Sequence, residues 1–86
     1  MSAIRAEVAD PLLAGMSEDD VSALNDQLNK SELHARAVHG AEAVAQAWLL
    51  YLRQPNRDVR RSLRARFLKA DNPYAELMDW AKGEAA

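Results

Sequence analysis

Residues 31–56 read SELHARAVHGAEAVAQAWLLYLRQPN, from Ser31 to Asn56, and their periodicity points to a long helix at the centre of the protein. Two apolar seams wind along it at spacings of three and four, the pattern that brings side chains onto one helical face. The first seam is Leu33, Ala37, Gly40, Val44, Ala47 and Tyr51; the second, one position on, is His34, Val38, Ala41, Ala45, Trp48 and Leu52. Small residues occupy the middle of this face and large ones its end, so a neighbouring helix is expected to approach closely near Gly40 and Ala41. Ser31 followed by Glu32 has the form of a helix start. Gln54-Pro55-Asn56 supplies the stop, because the ring of Pro55 disfavours helical geometry in the residue before it. The reading is a helix over 32–53, with a break or bend at Asn29 to Ser31, or else one helix running straight through that point.

Working outward, Ser17 precedes Glu18, Asp19 and Asp20, a hydroxyl cap with three carboxylates at the positive end of a helix dipole. Val21, Leu24 and Leu28 then form one stripe of a helix over 18–29. On the other side, Asn56 can cap a helix over 57–70 whose apolar stripe is Val59, Leu63 and Phe67. Asp71-Asn72-Pro73 restarts the chain, since proline in a first turn forfeits no hydrogen bond. The last helix, 73–82, carries Tyr74, Leu77, Met78 and Ala81 on one face with Trp80 beside them, and Gly83 is placed to end it. Before Ser17, the breakers Pro11 and Gly15 allow a short helical turn near Ile4 to Ala9, with Ile4, Val8, Leu12 and Leu13 available to pack over the rest.

The composition agrees. Of 86 residues, seventeen are alanine and eleven leucine, while threonine and cysteine are absent. Helix formers dominate and strand formers are scarce. The expected fold is all-α, a small bundle of three to four helices in a single domain, with a partly ordered N-terminal segment over 1–16 and the helical domain over 17–86. Without cysteine there is no disulfide frame, thiolate metal site or thiol nucleophile, so packing or association must supply the cohesion. No basic head with an apolar core opens the chain, and the longest apolar run is Ala47 to Leu52. These features suggest a cytoplasmic protein, of bacterial or phage type in its alanine and arginine bias, with no membrane partner.

The net charge of −2 is small, but its distribution is uneven. Residues 1–46 hold three basic and eight acidic side chains, residues 47–69 seven and one, and residues 70–86 one and four. The chain is therefore acidic, then basic, then acidic. Arginine predominates in the basic stretch, and its planar fork suits carboxylates, phosphates and carbonyls.

Catalytic and metal signatures are missing. His34 and His39 are five apart and point away from one another on a helix, whereas a shared metal needs spacings of three or four. His39 and Glu42 share a face, yet no second copy of the pair exists to build a dinuclear site. Asp19, Asp20 and Asp26 lack the glycine and the closing glutamate of a calcium loop. No nucleophile elbow or glycine-rich phosphate loop surrounds any serine. The expectation is a non-enzyme without cofactor or metal.

Two surfaces remain. The run Ala47-Trp48-Leu49-Leu50-Tyr51-Leu52 is apolar all round its helix, and successive residues turn by about 100°, so one partner face cannot cover it. The last helix with Met78 and Trp80 covers the remainder, or the N-terminal segment with Leu12 and Leu13 does, or else another chain. The second surface is the arginine helix. Together they nominate Trp48, Leu50, Tyr51, Arg53, Arg57, Arg60, Arg61 and Arg64 as protein-binding residues, acting on a partner protein or on a second copy. The expected function is a small non-catalytic protein-binding module, an adaptor, assembly factor or inhibitor that works by covering a surface. Two alternatives stand beside it: a nucleic-acid-binding regulator using the Arg57 to Lys69 helix, and an acidic mimic that presents Glu18, Asp19, Asp20 and Asp26 to the basic groove of a nucleic-acid-binding machine.

Overall fold

The computed structural model describes residues 4–6 and 13–85. It contains four helices: α1 (Glu18–His39), α2 (Ala41–Leu52), α3 (Arg57–Lys69) and α4 (Pro73–Ala85). No strand occurs among the described residues, so the fold is the expected small all-α bundle. The caps explain most of the helix starts. Ser17 Oγ accepts from Asp20 N at 3.1 Å, and Asn56 Oδ1 accepts from Asp58 N at 2.8 Å and Val59 N at 3.3 Å. Each satisfies donors that a first turn otherwise leaves open.

The long helix departs from its sequence reading in its middle, while at its start the continuous alternative holds and its end at Leu52 is as expected. No break occurs at Asn29 to Ser31, because α1 runs through it to His39. Ser31 makes no local cap there. It is buried, its Oγ donates to Asn72 Oδ1, and it accepts from Tyr74 N at 2.9 Å. The same hydroxyl thus caps α4 from a distance, and Asn72 completes that cap through Ala75 N at 3.3 Å. The true break is at Gly40, which has φ 91° and ψ 149°, a region all but reserved for glycine. Gly40 N still donates to Arg36 O at 2.9 Å, while Val44 N reaches Gly40 O at 3.2 Å, so one residue ends α1 and opens α2. The two seams read across residue 40 are therefore split, and Leu33 and Val38 stand 66% and 61% exposed. Gly83 does not end α4, which continues to Ala85.

α4 is the hub, packing on α1, α2 and α3, while α1 also lies along α2 and α3 touches α2 more lightly. Phe67 and Leu77 are completely buried at its faces, each contributing about 1.5–3 kcal/mol by removal from water. An aromatic chain links three helices. Trp48 stacks on Tyr51 with centroids 4.9 Å apart, Tyr51 meets the edge of Phe67 at 5.9 Å, and Phe67 meets Trp80 at 5.9 Å. A second tie between α1 and the α3–α4 connection is Gln27 Nε2 to Asp71 O at 2.8 Å.

Near the N-terminus, residues 4–6 are not a helical turn. They bury Ile4 and Ala6 in the core, and Leu13 is buried there too. The expected contacts of Val8 and Leu12, and the role of Pro11, lie outside the described residues.

Candidate functional site

Six of the eight residues nominated from sequence separate into three groups, and Arg57 and Arg61 stand apart from them. Trp48 and Tyr51 are 9% and 7% exposed. They are not on the surface, as the docking expectation needs, because α2 turns them into the bundle where Tyr51 meets Phe67. Burial pushes the Tyr51 hydroxyl above its usual range, with Arg64 and Arg60 nearby drawing it partly back. The Trp48 Nε1–H is buried without a hydrogen-bond partner among the described residues, a cost of about 1–3 kcal/mol that the surrounding apolar contacts must outweigh.

The second group is Arg60 and Arg64, which the fold uses internally. Arg60 Nη1 donates to Gln54 O, tying α3 to the turn after α2. Arg64 Nη2 donates to Arg5 O at 2.8 Å. Elsewhere on α3, Arg66 pairs with Glu76 of α4 at 3.4 Å. Arg57 and Arg61 are exposed, and no ion pair or hydrogen bond engages their side chains among the described residues.

The third group, Leu50 and Arg53, comes together on a groove between α2 and α4 of about 750 Å³. Its floor is Ala47 and Ala81, both buried, with the half-buried Leu50 and Met78. Ala43, Ala47 and Leu50 recur along α2 at spacings of four and three, so one stripe of that helix supplies the apolar centre of its side, with Gln46 and Leu49 at the edge. The depth has a simple origin. Alanine at 43, 47 and 81 leaves out the outer shell of side chain that would fill the space between two helices. The polar lining residues are all exposed and stand at the rim: His39, Gln46, Arg53, Asp79 and Lys82. Leu49, 40% exposed, forms the lip, and Leu52 beside it is 46% exposed.

The apolar run 47–52 is thus covered in part. The bundle satisfies Ala47, Trp48 and Tyr51, while Leu49 and Leu52 remain in solvent and Leu50 is halfway. Sequence reading missed Met78, Ala81 and Lys82 as groove residues, having assigned Met78 to cover. The usable signal was the second stripe, Met78, Ala81 and Lys82, at spacings of three and four from one α4 edge. The acidic residues Glu18, Asp19, Asp20 and Asp26 are all exposed on the first half of α1, the first three at its N-terminal turn.

No family model matches this chain, and no curated protein or solved structure matches it either. Among the described residues no helix is long and apolar enough to cross a membrane.

Proposed function

We propose that this chain is a cytoplasmic protein-binding module that acts by occupancy, taking the apolar face of a partner's amphipathic helix into the α2–α4 groove. The groove itself carries the reading: an alanine, leucine and methionine floor with its charge confined to the rim. A helix satisfies its own backbone hydrogen bonds, so it can lie on an apolar floor without stranding a polar group, whereas an extended peptide cannot. Arg53 and Lys82 outweigh Asp79 at the rim, which favours carboxylates flanking the partner's apolar stripe. The use of Arg60 and Arg64 on backbone carbonyls supports this reading over nucleic-acid binding, since it withdraws two guanidinium groups from the face a phosphate backbone would need.

The test uses two synthetic amphipathic helices with the same leucine stripe, one flanked by glutamate and one by lysine, titrated into the labelled protein and followed by amide chemical shifts. The glutamate helix should shift Leu50, Arg53, Met78 and Lys82 and bind at least tenfold more tightly than the lysine helix. Absence of shifts at those four residues with either helix would remove the groove as a docking site.

A further inference from the structure

Ile4, Arg5 and Ala6 sit on the bundle as a ligand sits in a receptor. Their backbone groups find side-chain partners rather than secondary structure. Ile4 N donates to Tyr74 Oη at 3.0 Å, Ala6 N donates to Asn25 Oδ1 at 2.8 Å, and Asn25 Nδ2 returns a bond to Ala6 O at 2.9 Å. Arg64 Nη2 closes the set on Arg5 O at 2.8 Å. Three helices, α1, α3 and α4, therefore each offer a side chain to one tripeptide. The Ile4 and Ala6 side chains are buried, at 4% and 2% exposure, whereas Arg5 between them is exposed. That alternation is the signature of an extended peptide read on one side.

The receptor groups are held in place by contacts of their own. Tyr74 Oη also donates to Glu32 Oε2 at 3.3 Å, which fixes its lone pair toward Ile4, and the Tyr74 backbone N is bound by Ser31. Asn25 belongs to the middle of α1, whose backbone is self-satisfied. A cleft arranged before its occupant arrives binds with a smaller ordering cost. The bonds to main-chain atoms carry no sequence preference, so specificity comes from the two buried side chains: an aliphatic one at the first position and alanine at the third, where almost no surface is left for a larger group.

We propose that this cleft is a receptor for extended segments of the pattern aliphatic-x-alanine, filled in cis by the protein's own Ile4-Arg5-Ala6, and that such a segment of a partner protein competes for it. The site is separate from the α2–α4 groove and stands whether or not a helix docks there.

The test uses the full chain carrying Ile4→Glu and Ala6→Glu together, which empties the cleft, and a fluorescein-labelled peptide with the sequence of residues 1–8, read by anisotropy. The double variant should bind the peptide at least tenfold more tightly than the unsubstituted protein. Adding Asn25→Leu should abolish binding, as should replacing the peptide's alanine at position 6 with tryptophan. A double variant that keeps its helical circular dichroism and still ignores the peptide overturns the proposal. Should that variant lose its helices, native-state hydrogen exchange on the unsubstituted protein decides. Ile4 and Ala6 amides that exchange through a local opening, at least tenfold faster than those of Leu28 and Leu77, uphold exchangeable occupancy, and exchange only together with the core overturns it. A dimer that forms with rising concentration in the unsubstituted protein and disappears in the double variant would make a second copy the occupant and overturn the assignment to a partner protein.

Discussion

Two recesses on this bundle have opposite chemistry. The cleft around residues 4–6 is lined with groups that bind backbone, namely Asn25, Arg64 and Tyr74, and it is full. The groove between α2 and α4 has an apolar floor and a charged rim, and no described residue covers it. A non-helical segment brings N–H and C=O groups that must be met on burial, so its receptor has to supply polar side chains. A helix brings none, so its receptor can be alanine and leucine. The difference between the two recesses is thus a difference in what each can accept.

The largest effect should come from the core beneath α4, the helix that supplies Tyr74 to the cleft and Met78, Ala81 and Lys82 to the groove. Leu77 is fully buried on α4, and Leu77→Ala should cost about 2–5 kcal/mol in urea denaturation through the cavity it leaves. A loss below about 1 kcal/mol would mean that the two recesses do not rest on one core.

An intermediate effect should come chiefly from the filled cleft. The Tyr74 hydroxyl is pushed up to about 12 from 10, chiefly by burial, with the Ile4 N–H opposing and Glu32 assisting. The folded state therefore holds this proton more tightly than the unfolded one. Its contribution is complete below pH 10 and is lost as the pH rises from 10 towards 12, by an amount on the order of 1–2 kcal/mol after solvent screening. Tyr51 adds to the loss with the same sign. Tyr74→Phe should reduce the alkaline loss in a pH series of denaturation midpoints, and an unchanged series would detach the hydroxyl from the clamp.

The smallest effect on stability belongs to the open groove. Leu49→Gln, at a position already 40% exposed, should change stability by no more than about 0.5 kcal/mol while weakening the glutamate-flanked helix severalfold. A large loss of stability there would show that the lip is part of the fold.

Much of the fold was legible because it rests on local chemistry. Ser17, Asn56 and Pro73 start the helices where a cap or a missing N–H allows a start. Ser31 and Gly40 misled for the same physical reason: their roles are tertiary or conformational. A serine followed by glutamate resembles a cap until Asn72 and Tyr74 arrive to use its hydroxyl. A glycine inside an apolar seam resembles a close-packing residue until its positive φ is seen. The site was half legible. Period and hydropathy show that the run 47–52 has more apolar side chains than one face can hold, but not which of them the bundle takes inward. Trp48 and Tyr51 went in, Leu49 and Leu52 stayed out, and the arginines at 60 and 64 were drawn to carbonyls that sequence spacing does not reveal.

The central claim is that the uncovered apolar edge of α2 faces a partner. Site-specific photo-crosslinking tests it most directly, with a benzophenone side chain at position 49 in one strain and at position 62, on the exposed face of α3, in another. The account predicts a discrete adduct from position 49 that is lost with Arg53→Glu and Lys82→Glu together and that maps to an acid-flanked amphipathic helix. Equal adducts from both positions, or an adduct at 49 indifferent to those charge reversals, would contradict it.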